Sequence, residues 1–179
     1  TGVDGDNMCE HKGGVMGVLE EADRSGDARP LPLAGVRVCD FTWIVAGPQA
    51  TRILADLGAD VVKVENESYL DSMRLGLQNP DRPPGYNGSG FHGNFSRNKR
   101  GITANLHHPS GREAAERLIA QSDIVIENFS AGAFDRMGFG WERLQELNPD
   151  AIYISLSGFG QTGRDNSYIT WGPTAAAVS

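Results

Sequence analysis

The sequence predicts a doubly wound α/β domain, a parallel sheet with helices on both faces. Three observations carry that reading. A short apolar run, V-R-V-C-D-F-T-W-I-V-A-G-P (Val36–Pro48), passes straight into a helical pattern of Gln49, Ala50, Ile53, Leu54 and Leu57, stopped by Gly58. The run A-D-V-V-K-V-E (Ala59–Glu65) follows at once, which completes the strand–helix–strand unit of a parallel sheet. A later run, D-I-V-I-E-N-F (Asp123–Phe129), is apolar almost throughout, as a strand covered on both faces requires.

Taken in order, Thr1–Pro32 is polar, acidic and glycine-bearing, with one candidate short helix near Val15–Arg24. It offers too little apolar surface to repay ordering and reads as a tail or linker. Residues 33–179 make up the domain, starting with the βαβ unit at Val36–Glu65. From Asn66 to Asn94 the pattern gives way to Asn, Pro, Gly and Tyr, and so long a loop inside a domain is functional or disordered. Lys99–Leu106 reads as the third strand. His107-His108-Pro109-Ser110 then opens a helix with Ala114, Ala115, Leu118 and Ile119 on its apolar side. After the fourth strand, Asp123–Phe129, come short helices at Ala131–Met137 and Trp141–Leu147 and an Asn148-Pro149 stop. A fifth strand, Ala151–Ser157, runs into a glycine loop at Gly158–Gly163, and no internal repeat is visible.

Composition narrows the function. The 179 residues suit one domain with a substantial core, and a net charge of −7 argues against nucleic acid as the main partner. No apolar run nears the ~18–20 residues that span a bilayer, so no membrane partner is expected. Thr1–Arg29 lacks the basic-then-apolar layout of a secretory signal. Cys9 and Cys39 are too few for a disulfide framework, which makes a reducing, cytoplasmic setting the default. The start at threonine and the finish in T-A-A-A-V-S suggest a piece of a longer chain.

Ligands of parallel sheets bind at the carboxyl ends of the strands, so Thr42–Pro48 comes first. It lacks G-x-G-x-x-G. Its small residues either let a phosphate approach a helix N-terminus or simply make a turn. Asn98-Lys99-Arg100 is either a phosphate anchor or a solvated basic triplet. Glu127-Asn128-Phe129 either lines a site or caps a helix and fills the core, and Asp135-Arg136 fits a surface ion pair. His107-His108 has no third ligand at a recognisable spacing and reads as a helix start, so no metal is expected. Cys39 reads as an apolar strand residue. With no G-x-S-x-G, Cys/His pair or Walker loop, spacing alone reaches a phosphate-tolerant ligand site.

Five segments together resemble the family III CoA-transferases, the group of formyl-CoA transferase, carnitine CoA-transferase and α-methylacyl-CoA racemase. They are L-A-G-V-R-V-C-D-F-T-W-I-V-A-G-P, L-G-A-D-V-V-K-V-E, N-K-R-G-I-T-A-N-L, S-D-I-V-I-E-N-F-S-A-G-A-F-D-R-M-G-F and S-G-F-G-Q-T-G, in register from Leu33 to Gly163 over nearly three quarters of the chain. Each alone is weak, and the set is specific. The resemblance implies a truncated Rossmann-like CoA-binding domain, a fragment of a larger two-domain interlaced fold about twice this length. It implies coenzyme A, as acyl-CoA, and carboxylic acids as substrates. It also implies a homodimer or a second family III unit as partner.

In that family a carboxylate attacks an acyl-CoA thioester, giving an acyl anhydride and then an enzyme-bound CoA thioester that passes CoA to an acceptor acid. Family CoA contacts fall on Ile44, Val45 and Ala46, on Lys99, on Asn128 and Phe129, and on Arg136 and Met137. The cations would hold phosphates and the apolar groups would flank the adenine. Lys99 and Arg136 are thus expected to serve binding with little bearing on stability. Two departures stand out. A basic residue that often follows the second strand's glutamate is here Asn66. The family aspartate, nine residues after Q-T-G, is replaced by Gly172, and the racemase histidine before it by Trp171. Asp165, seven residues early, is the one nearby carboxylate. The segment is therefore expected to lack its own catalytic residue. The alternatives are a non-catalytic structural half that supports a catalytic unit, and a racemase or lyase on the same scaffold.

Overall fold

The first strand, β1 (Arg37–Asp40), continues through Phe41–Val45 into helix α1 (Ala46–Asp56), and β2 (Asp60–Glu65) follows after Gly58. The computed structural model describes residues 30–76, 85, 87–170, 172 and 177. Residues 1–29, with Cys9 and the candidate helix, lie outside them, as do most of the proline-rich stretch at 77–86 and Trp171. Gly58 has φ +100°, and a β-carbon there would sit 2.5 Å from Leu31, so the helix stop needs glycine.

Beyond β2 come two short helices, α2 (Ser72–Leu75) and α3 (Gly90–Phe95), in the region that sequence pattern assigned to loop. They carry no apolar period because each is barely a turn or two long. Asp71 caps α2 by accepting from the Met73 amide, and Ser89 caps α3 by accepting from the His92 amide. The chain then forms β3 (Arg100–Thr103), α4 (Pro109–Ile119), β4 (Ile124–Glu127), α5 (Ala133–Arg136), α6 (Trp141–Leu147) and β5 (Ile152–Ser155). His108 caps α4 through its ring, with Pro109 in the first turn.

The strands form one all-parallel sheet in the order β3-β2-β1-β4-β5. Strand order reverses between β1 and β4, and that switch point opens a crevice at the carboxyl edge. Register places Cys39 beside Val62 and Val125, and Val38 beside Val61 and Ile124. Alternation then splits the core. Cys39, Phe41, Val64 and Val125 pack under Ala115, Ile119, Phe134 and Leu144, while Val38, Val61 and Ile126 pack under Ala55 and Ala59. Phe134 anchors the first layer, with ring centroids 5.0 Å from Phe41 and 5.4 Å from Phe139. Each buried valine, leucine, isoleucine or phenylalanine side chain here contributes about 1.5–3 kcal/mol of burial.

Candidate functional site

The stretch after β1 is built by neighbours that satisfy its backbone. The Trp43 amide donates to Asn128 Oδ1 at 2.7 Å, and Asn128 Nδ2 donates back to the Trp43 carbonyl at 2.8 Å. One side chain, at the end of β4, thus spans the switch point with two hydrogen bonds. The next residue, Ile44, is left-handed at φ +65°, a cost that a β-branched residue bears only when its surroundings impose it. Its amide donates to Asp71 Oδ2 at 3.0 Å. Gly47 comes next, where a β-carbon would lie 2.3 Å from Thr42 Cβ. Glycine therefore lets α1 fold tightly against the strand. Among the described residues no side chain caps α1.

Beneath this turn lies a buried polar network. Asp40 is fully buried and accepts from the amide and hydroxyl of Thr42, from the Thr51 hydroxyl at 2.7 Å and from Lys99 Nζ at 3.1 Å. Burial pushes the Asp40 carboxyl up, but Lys63, Lys99 and the two hydroxyls outweigh it and hold it below the ordinary value. Lys99 also donates to the Pro48 carbonyl at 3.0 Å and to Thr51 Oγ1 at 2.7 Å. All three of its protons are matched, and its side chain is 2% exposed. Spacing leaves Lys99 as a phosphate anchor or part of a solvated triplet, and the resemblance implies that it serves binding with little bearing on stability. The structure corrects that: Lys99 turns inward, where the buried Asp40 carboxylate gives it a direct partner. Its neighbours in the triplet are also paired, Asn98 with Asp56 and Arg100 with Asp60.

The end of β4 holds the second half of the site. Buried Glu127 accepts from the Phe129 amide at 2.7 Å, the Tyr153 hydroxyl at 3.0 Å and the Ser155 hydroxyl. Burial beside that carboxylate pushes the Tyr153 phenol above its ordinary range. Gln161 in the glycine loop donates to Ser155 and accepts from the Gly132 amide at 3.0 Å, which ties that loop to the start of α5. Met137, just past α5, is fixed by Arg112, whose two terminal nitrogens reach its carbonyl at 2.8 and 2.7 Å. Arg136 is exposed and makes one long contact, 3.4 Å, to the Ala131 carbonyl.

Two clefts flank Trp43 and Phe129. The larger, about 710 Å³, brings together Ile44, Val45, Ala46, Asn128 and Phe129 from the sequence expectation. The other, about 540 Å³ and mostly apolar, takes in Phe129 and Met137 with Trp43, Asn66 and Tyr69. Lys99 and Arg136 line neither. The sequence reading missed Leu156, Ser157 and Gly158, which also line the larger cleft; their place just after β5 was the available signal. Gly172 lines that cleft too. Among the described residues lining it there is no carboxylate, and Asp165 pairs instead with Arg164 at 3.1 Å. Cys39 is buried, with its thiol pushed up by burial and by Asp40.

Residues 33–179 match the family model described as CoA-transferase family III. The chain belongs to CoA-transferase family III. Among curated relatives, an acyl-CoA transferase of Fusarium pseudograminearum is 40% identical over 149 residues, covering 81% of this chain and 33% of the relative. A formyl-CoA:oxalate CoA-transferase of Bradyrhizobium diazoefficiens is 43% identical over 128 residues, 72% of this chain and 29% of the relative. The crystal structure of a CAIB/BAIF family protein from Brucella suis superposes with a TM-score of 0.76 at 36% identity, over 84% of this chain and 39% of that one. The hypothetical protein Rv3272 from Mycobacterium tuberculosis gives 0.72 at 33% identity, over 83% and 40%. The chain spans about a third of the length of the curated relatives it matches. Among the described residues no helix is long and apolar enough to cross a membrane.

Proposed function

We propose that this chain is the coenzyme A-binding portion of a family III CoA-transferase that moves CoA between carboxylic acids. The observation that carries the reading is the meeting of Ile44, Val45, Ala46, Asn128 and Phe129 in one cleft at the β1/β4 switch point. In this reading the adenine lies in the smaller apolar cleft by Phe129 and Met137. The phosphates meet the exposed Arg136. The acyl-bearing arm runs along the larger cleft towards Gly172. Lys99 supports binding indirectly, by holding α1 to β1 through Pro48, Thr51 and Asp40. The working form is a homodimer or a pair of family III units in the cytoplasm.

A second reading is favoured by one observation: the larger cleft has no carboxylate among its described lining, where the family resemblance would set Gly172 in the carboxylate's place. This unit then binds or braces, and a partner unit supplies the aspartate.

Gly172→Asp tests both readings. A β-carbon at 172 meets nothing within 4 Å, so the variant fits. Its carboxylate would attack the thioester carbon and expel CoA thiolate, leaving an acyl anhydride. Incubated with an acyl-CoA, the variant is expected to gain acyl or CoA mass at that position. A folded variant that binds CoA but gains none would favour the bracing role, and one that neither binds nor reacts would remove the CoA reading.

A further inference from the structure

We infer that Asp71 is a positioning residue for the ligand cleft, acting through Ile44. The inference rests on the CoA reading above. Asp71 comes from the Asn-, Pro- and Gly-rich stretch after β2, to which sequence gave no specific role. Its two oxygens are divided: Oδ1 accepts from the Met73 amide at 3.0 Å, and Oδ2 accepts from the Ile44 amide at 3.0 Å. The carboxylate is buried, 2% exposed. Lys63 Nζ lies 3.6 Å from Oδ2 and donates to the Thr42 carbonyl. Lys63 therefore neutralises Asp71 and grips the backbone two residues before Ile44.

This arrangement explains why an isoleucine is held at φ +65°. Left-handed backbone is unfavourable for a β-branched residue, so some contact must pull the amide into place. A charge-assisted bond to a buried carboxylate is among the stronger pulls available. With Trp43 fixed by Asn128 on one side and Ile44 by Asp71 on the other, the turn has no freedom to swing. Val45 and Ala46 are thereby presented to the larger cleft. Release of Ile44 to right-handed backbone would redirect those two residues without touching the smaller cleft's Met137 wall.

The test uses this chain with Asp71→Ala and with the pair Lys63→Met and Asp71→Ala. The pair also removes Lys63, the cation that faces Asp71, while Asp40 keeps Lys99 and its two hydroxyl donors. Amide hydrogen exchange at Ile44 reads the positioning directly, with or without ligand. Titration with CoA and with adenosine 3′,5′-bisphosphate reads its consequence. Expected in both variants are lost protection at Ile44, a tenfold or greater fall in CoA affinity, and bisphosphate affinity within about twofold of the parent. Retained Ile44 protection would overturn the proposal, and so would an equal loss for both ligands, which marks general damage. A parent chain that binds neither ligand would defeat the CoA reading instead, with Ile44 exchange still deciding whether Asp71 sets the turn.

Discussion

Replacing Lys99 should destabilise this protein before it informs on binding. Its Nζ makes three hydrogen bonds, of 3.1 Å to Asp40, 3.0 Å to the Pro48 carbonyl and 2.7 Å to Thr51. In Lys99→Met the fully buried Asp40 carboxylate keeps Lys63 and two hydroxyls but loses its direct cation. Removing one partner of a buried pair costs about 3–5 kcal/mol, and the help from Lys63 places this case near the lower end. For a domain of this size that corresponds to a fall in Tm of about 6–12 °C. Differential scanning calorimetry of the parent, Lys99→Met, Asp40→Asn and the double variant forms a cycle in which the double variant recovers part of the loss. Arg136→Ala, with one long surface contact, should change stability by less than about 0.5 kcal/mol. A Lys99→Met protein that melts with the parent would refute the reasoning.

Two other expectations follow from the same geometry. Asn128→Ala removes both bonds to Trp43, at about 0.5–1.5 kcal/mol each, so urea unfolding should register a loss of about 1–3 kcal/mol. Asn128→Asp should do worse at neutral pH, since a carboxylate oxygen then faces the Trp43 carbonyl, and should improve in acid as that oxygen is protonated. The buried His92 imidazole is held below its ordinary value, by burial first and then by Arg74. The unfolded chain therefore binds more protons between the two values. Stability is full above about pH 6.5 and is lost as pH falls through the folded value, with a slope of up to about 1.4 kcal/mol per pH unit. Thermal melts across that range should show the slope in the parent and its absence in His92→Phe.

The sheet was legible because its signals are local. Apolar runs such as Asp123–Phe129 and the glycine stop at Gly58 declare strand and helix end without reference to partners. The clustering of Ile44–Ala46 with Asn128 and Phe129 was legible for a related reason, because strand ends in a parallel sheet converge on one edge. What escaped was every role fixed by a distant partner. Nothing near Lys99 in sequence says that Asp40 waits 59 positions away. Likewise Asp71 reaches Ile44 across 27 positions, from a helix too short to show a period. Ser157 and Gly158 went unassigned because a glycine loop after a strand suggests a turn as readily as a cleft wall.

The most direct test of the account is calorimetric titration of this chain with CoA, beside Arg136→Ala. The account predicts saturable one-site binding that weakens in Arg136→Ala while its melting temperature stays at the parent value. A chain that melts cooperatively yet releases no heat with CoA, or an Arg136→Ala variant with parental affinity, would contradict it.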